Sequence, residues 1–229
     1  MSTCAASAPA TLSAADRAES ARYALLRRLA PSMRHHLVVN LQPIGMIYEV
    51  MDRRLRAPQP DLAHVQASAQ KMNGFARAAL DSCLDVVTWL APEDGALTGA
   101  SEGVRECLSL LSPSLGFRGY AVRHDVGAVT GQVRHAAVRS VLTAAVLHLT
   151  DEHPAPAEVT LRAEPAAAGL EVTLQVRPVA GEPGMEPHPS YRKLEWRDVQ
   201  ALGATEGVEL RRAGGGLVLS FPWVRPARA

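Results

Sequence analysis

Apolar residues recur through the first half of the chain at alternating steps of three and four, the spacing of helices that pack in pairs. The pattern occurs twice, on either side of a proline-containing turn at residues 56–60. Two such helices joined by a short turn predict an antiparallel hairpin. The positions are Met33, Leu37, Leu41, Ile44, Tyr48, Met51 and Leu55 on the first helix, and Leu62, Val65, Ala69, Met72, Ala76, Ala79, Cys83, Val86 and Leu90 on the second.

Capping residues and prolines indicate where these helices begin and end. Ser13 is a predicted N-cap, and a helix is expected to run from there to about Leu29. Pro31 then predicts a kink or a restart, because proline removes a backbone donor and crowds the preceding turn. Asp61 is predicted to cap the second hairpin helix.

Each hairpin helix carries more apolar residues than one packing face requires. A hairpin with two apolar faces needs further helices to cover them. We therefore expect a homodimer, in which two hairpins form a four-helix bundle by two-fold symmetry. The additional apolar residues are Ile47, Val50, Phe75, Leu80, Leu84 and Val87.

After a short linker at residues 92–99, the pattern changes to alternating strands and short helices. Together the two halves predict an α+β fold: a helical hairpin, then an α/β sandwich with its helices on one face of a mixed or antiparallel sheet. The expected organisation is a disordered tail at 1–12, the hairpin at 13–92 and the α/β domain at 97–226. Helices are predicted at 104–111, 136–149 and 196–202, and strands at 120–126, 159–162, 170–176, 208–210 and 217–221.

Composition excludes several classes of function. The net charge of +1 gives no electrostatic indication of nucleic-acid or membrane-surface binding. No apolar run reaches the roughly 18 residues of a membrane span, and the first residues do not read as a signal peptide. The histidines and cysteines show no metal-ligand spacing, so no metal is expected. Cys83 and Cys107 are predicted to be buried, inert thiols, which fits a reducing cytoplasm.

The candidate chemistry lies in the adjacent histidines His35 and His36. An imidazole can accept and release a phosphoryl group or a proton near neutral pH, because its unperturbed pKa is about 6.5. A helical residue advances by about 100°, which places His35 about 160° from Met33 and Leu37, on the outward side. His36 falls on the flank of the packing face. An exposed imidazole on a stiff helix is a usable nucleophile, although ordinary surface histidines would give the same pattern.

The order of elements and the histidine segment resemble the sensor histidine kinases, in which a dimerisation hairpin carries a phosphoacceptor histidine and precedes an ATP-binding domain. The matching residues of that family's histidine motif are His35, Leu37, Leu41, Pro43 and Ile44. Three positions depart from the motif: His36 replaces an acidic residue, Val39 an Asn or Thr, and Asn40 a Pro. The acidic residue acts as the base in the family, so His36 is either a weaker base or an alternative acceptor.

The half that resembles the ATP-binding domain departs further. Ala144 and His148 stand where the family has two asparagines, of which the second binds Mg²⁺. Alanine offers no ligand, and histidine is a poor ligand for a hard ion that prefers oxygen. The family's adenine-reading aspartate is also missing after the strand at 170–176. The glycines at 214–216 lie between two alternating apolar segments, so they predict a hairpin turn rather than a phosphate loop.

The resemblance therefore implies a histidine phosphotransferase of a two-component phosphorelay, without a cofactor. His35 would exchange phosphoryl groups with aspartates on receiver domains of response regulators or hybrid kinases. The receiver would dock on the segment 37–44, with Arg34, Val38 and Gln42 as contact residues. The alternative is a non-catalytic binding module that regulates a kinase or a response regulator. A third hypothesis, a divergent active kinase, predicts ATP binding.

Overall fold

The structure, a computed structural model, describes residues 13–91, 94–182, 184 and 191–224. The predicted tail at 1–12 and the last residues of the predicted α/β domain lie outside these ranges. The helices are α1 (Ala14–Leu55), α2 (Leu62–Leu90), α3 (Ala100–Phe117), α4 (His135–Ala137), a π-helical turn (Val138–Leu142), α5 (Thr143–Glu152) and α6 (Trp196–Glu206). The strands are β1 (Leu97–Gly99), β2 (Tyr120–Val126), β3 (Gln132–Arg134), β4 (Ala157–Pro165), β5 (Gly169–Pro178), β6 (Glu209–Ala213) and β7 (Gly216–Pro222).

Helix α1 is a continuous helix of 42 residues. Ser13 caps it as predicted, since its hydroxyl accepts a hydrogen bond from the Asp16 backbone N–H at 3.1 Å. The predicted end near Leu29 is wrong, because the helix continues through Pro31 and Pro43. Each proline removes one helical hydrogen bond, but buried residues on both sides of Pro31 hold the helix in place.

The hairpin of α1 and α2 forms as predicted, and Asp61 caps α2 by accepting from the His64 backbone N–H at 3.0 Å. Its packing face, however, is rotated from the predicted one. From Leu41 on α1 and along all of α2, every second position of the predicted packing face is exposed. The two helices therefore meet along a stripe beside the predicted one. The exposed positions are Leu41, Tyr48 and Leu55 on α1, and Leu62, Ala69, Ala76, Cys83 and Leu90 on α2. The residues that pack inside include Ala79 and Trp89, with Val65, Met72, Phe75 and Val86 half-buried.

A five-stranded mixed sheet forms the second half of the chain, in the order β2-β4-β5-β7-β6. Strands β2 and β4 are parallel, and the other neighbours are antiparallel. β1 and β3 form a separate two-stranded pair. This confirms the predicted α+β fold with a mixed sheet. Gly214 and Gly215, with φ of 55° and 77°, form the two-residue turn between β6 and β7, also as predicted.

The main hydrophobic core includes the sheet, α3, α5, α6 and the first half of α1. Ala21, Ala24, Leu25 and Leu29 of α1 are buried in the same cluster as the sheet residues. The first part of α1 therefore packs on the sandwich, especially on α6, and only its second part pairs with α2. Residues from both sides of the predicted division near residue 92 lie in this core, and the division itself stays a prediction.

Candidate functional site

The two histidines lie in the middle of α1, just beyond the part that packs on the sandwich. His35 is exposed and His36 is half-buried, as the helical geometry predicts. Their ring centroids are 6.4 Å apart. Among the described residues, neither ring has a hydrogen-bond or ion-pair partner that would occupy its nitrogens. The His35 imidazole is therefore accessible to a partner in solution.

The residues predicted to contact a receiver lie on the same exposed side of α1. Arg34, Val38 and Gln42 are all exposed. Val38 and Gln42 follow His35 at three and seven residues, so the three share one stripe of the helix. This stripe faces away from α2. It presents an imidazole, an apolar side chain and an amide side by side.

On the inner side, Asn40 connects the histidine turn to α2. Its Nδ2 donates to the His36 carbonyl at 3.2 Å and to the Ser82 hydroxyl at 3.1 Å. Ser82 in turn donates to the Ala78 carbonyl at 2.9 Å. This polar contact lies in a mainly apolar seam. In the sequence alone, Asn40 is only a departure from the motif that the segment resembles.

Helix α5 carries Ala144 and His148, the two positions at which the resemblance expects asparagines. Ala144 is 0% exposed and His148 is 2% exposed. His148 Nδ1 lies 2.9 Å from the Leu194 carbonyl, and Arg212 lies 3.2 Å from Nε2. A carbonyl only accepts, so Nδ1 donates to Leu194. Nε2 faces the Arg212 guanidinium and lies 3.4 Å from Glu152 Oε1, and the Trp196 ring centroid is 5.9 Å from that of His148.

The segment before α6 covers the same helix. Leu194 is buried, and its backbone N–H donates to Asp151 Oδ2 at 3.4 Å. Arg28 of α1 donates to both carboxylate oxygens of Asp151, at 2.7 and 2.8 Å. The side chains of Arg28 and Asp151 are 6% and 5% exposed. Asp151, near the end of α5, is thus bonded both to α1 and to the segment before α6.

A second buried cation lies on the π-helical turn. Arg139 donates to Glu106 on α3 and to Thr88 and Asp85 on α2, each at 2.6 Å. Burial alone would raise the pKa of Glu106, but its contacts with His135 and Arg139 together hold that pKa below its ordinary value. Sequence reasoning missed this cluster. Its signal was a single arginine in an otherwise apolar helix, which requires buried partners.

The cysteines differ from each other. Cys107 is buried as predicted, and burial raises the pKa of its thiol to about 12. Cys83 is exposed in the single chain, so its predicted burial is wrong for the hairpin alone. The reason is the rotated packing face, which leaves Cys83 on the uncovered stripe of α2. Within the described residues, no group of three or more His, Cys, Asp or Glu side chains is placed to hold a metal.

No family model and no curated protein sequence matches the chain. Similar solved structures include a bacterial phosphotransferase, 13% identical over 94% of this chain and 100% of that chain, with a TM-score of 0.38. A histidine kinase from Burkholderia phymatum is 16% identical, covers 93% of this chain and 99% of that chain, and has a TM-score of 0.39. Histidine kinase ThkA, solved in complex with response regulator protein TrrA, is 15% identical over 90% of this chain and 63% of that chain, with a TM-score of 0.39.

Two of these structures are histidine kinases, the class that the histidine motif resembles. The chain itself folds as a helical hairpin that bears the histidines, followed by a mixed α/β sandwich. Identities and TM-scores this low do not transfer an activity, so the function has to be argued from the chain's own residues. None of the described helices has the length and apolar character needed to span a membrane.

Proposed function

We propose that the protein is a histidine phosphotransferase of a two-component phosphorelay, acting in the cytoplasm through His35. The observation that carries this proposal is the exposed imidazole of His35 on a continuous helix, which has no partner in the part of the chain that the structure describes. In the reaction, a ring nitrogen attacks the phosphorus of an aspartyl phosphate on a receiver domain. An N–P bond forms, the acyl phosphate P–O bond breaks, and the aspartate leaves as a carboxylate. A second receiver takes the group by the reverse step.

The protein partners of His148 support a relay that does not use ATP. The position of the family's second asparagine is held by His148, whose two nitrogens already have protein partners. Mg²⁺ prefers oxygen ligands, and Ala144 and His148 supply none. For transfer between proteins, the receiver provides the metal and the charge stabilisation of the phosphoryl group.

The uncovered apolar stripe of the hairpin supports a homodimer. Ala69, Ala76, Leu80, Cys83, Val87 and Leu90 of α2 are exposed at spacings of seven, four and three. This is the repeat of a coiled-coil seam, and on α1 Leu41, Tyr48 and Leu55 repeat at seven. A second copy related by two-fold symmetry matches this periodicity with its own stripe, which completes a four-helix bundle.

The dimer is tested by light scattering. The double variant Leu80→Glu, Val87→Glu should have half the mass of the wild type. Phe117→Glu is the matched control, because it removes an exposed apolar side chain outside the hairpin. A wild type that is monomeric at micromolar concentration would contradict the dimer.

Phosphoryl transfer is tested with receiver domains from the same genome, each labelled beforehand with radioactive acetyl phosphate. The expected result is acid-labile label on the wild type, lost in His35→Ala and kept in His124→Ala, an exposed histidine on β2. His36→Ala tests the role of His36. If His36 is a base, its loss slows labelling; if His36 is the acceptor in place of His35, its loss abolishes labelling. Transfer by His35→Ala at the wild-type level would refute the assignment.

A non-catalytic binding module is the second candidate. The absence of a carboxylate partner for either histidine, among the described residues, favours it. In that case no receiver would label the wild type, and the double variant His35→Ala, His36→Ala would still bind a receiver or a kinase. Arg34, Val38 and Gln42 would then serve binding alone.

A further inference from the structure

Two groups of polar contacts, joined by one turn of α2, lie between the sandwich and the histidine turn. The first group begins at Arg139, whose side chain is 8% exposed on the π-helical turn. Its guanidinium donates to Asp85 and Thr88, which lie in the last two turns of α2. Glu106 of α3 holds the same guanidinium from the other side. The sandwich is therefore bonded to the end of α2 through a part-buried, charge-assisted contact, which is stronger than a neutral one.

The next contact lies one turn earlier on α2. Ser82 accepts a hydrogen bond from Asn40 Nδ2, and the same Nδ2 reaches the His36 carbonyl. A polar pair in an apolar helical seam fixes the register of the two helices, because sliding would leave the polar groups without partners. The Asn40–Ser82 pair thus sets the height of the histidine turn against α2.

The histidine turn needs such support because α1 is weakened on both sides of it. Pro31 and Pro43 each lack the N–H that would close a helical hydrogen bond. His35 and His36 lie between these two positions. The contacts made by Asn40 act on the intervening turn itself.

From these contacts we infer that the sandwich acts as a brace for the phosphoacceptor, a role that rests on the proposed function. The brace consists of Arg139 with Asp85, and Ser82 with Asn40. Asn40, Ser82 and Arg139 are positioning residues: they do not touch the phosphoryl group but fix the turn that presents His35. Such fixing matters because transfer requires the reacting atoms to approach within about 3–3.5 Å in line.

The first experiment measures the brace without any receiver. Amide hydrogen exchange is compared in the full chain for Arg139→Gln and for Arg162→Gln, an exposed arginine on β4. Arg139→Gln should speed exchange at residues 36–42 relative to β5, although the change lies in the sandwich. Ser82→Ala should do the same and Ser82→Thr should not. The brace would be overturned if, in both Arg139→Gln and Ser82→Ala, the exchange rate at residues 36–42 changed only as much as the rate in β5.

The second experiment uses a phosphorylated receiver that labels the wild type. Ser82→Ala and Asn40→Leu should lower the maximal single-turnover rate about tenfold, the equivalent of one lost hydrogen bond. The half-saturating receiver concentration should not change, and Ser82→Thr should restore the rate. An unchanged maximal rate, or a change in half-saturation alone, would overturn the positioning role. If no receiver labels the wild type, the proposed phosphotransfer fails, and the exchange experiment alone decides the brace.

Discussion

The Arg28–Asp151 pair allows a quantitative test of how α1 packs on the sandwich. Both side chains are almost fully buried, and the two terminal nitrogens of Arg28, Nη1 and Nη2, donate to the carboxylate of Asp151. Removing one partner of a buried pair costs about 3–5 kcal/mol, because the other charge stays buried. When Arg28 is replaced, the carboxylate of Asp151 still has two partners: the Arg118 guanidinium at 3.5 Å and the Leu194 backbone N–H at 3.4 Å. We therefore expect the low end, about 3 kcal/mol, for Arg28→Met.

The assay is urea unfolding followed by circular dichroism, with the free energy of unfolding taken by linear extrapolation. Arg56→Met is the control, because Arg56 pairs with Asp52 at 79% and 37% exposure. That surface pair should contribute less than about 0.5 kcal/mol. The double change Arg28→Met, Asp151→Leu should recover only part of the loss, because it removes the unpaired carboxylate but takes an acceptor from Arg118 and from the Leu194 N–H. A cost for Arg28→Met as small as that for Arg56→Met would refute the burial of the pair and the packing of α1 against α5.

Three further predictions concern the thiols, the acid response and nucleotide binding. In a Cys4→Ser background, mild oxidation should give a disulfide-linked dimer that Cys83→Ser abolishes; crosslinking that persists in Cys83→Ser would contradict the α2 stripe as the interface. Because the folded protein holds the pKa of Glu106 low, its stabilising effect is present above the unfolded value of about 4.3 and is lost as the pH falls through the folded value. Glu106→Gln should therefore flatten the fall in unfolding free energy below about pH 4.3, and an unaltered slope would refute that linkage. Millimolar Mg·ATP should leave the unfolding temperature unchanged, whereas a saturable rise would restore the kinase hypothesis.

Periodicity predicted the elements of this fold more reliably than it predicted their faces. The alternation at 120–126 and 170–176 identified two strands, because one side of a sheet faces the core and the other faces solvent. The hairpin helices instead carry two apolar stripes each. The sequence does not show which stripe meets the partner helix of the same chain. The predicted burial of Cys83 is therefore wrong for the hairpin alone.

The same distinction holds for the candidate site: the sequence predicts the direction of His35 but not the contacts of Asn40 and Arg139. The outward position of His35 follows from helical geometry alone, since neighbouring residues differ by about 100°. The roles of Asn40 and Arg139 depend on partners 42 and 54 residues away in sequence. No local pattern records such contacts. A polar residue at an apolar position shows that a partner must exist, but the fold decides which one.

The continuity of α1 has a consequence for how the chain can change in length. Its N-terminal half belongs to the sandwich core and its C-terminal half carries His35, with no joint between them. One residue inserted between Leu29 and His35 would turn the imidazole by about 100° and move it by about 1.5 Å. Inserting seven residues nearly restores its direction but carries it about 10 Å along the axis. The number of residues between the core and the histidine therefore sets both the position of the imidazole along the helix axis and the direction in which it points.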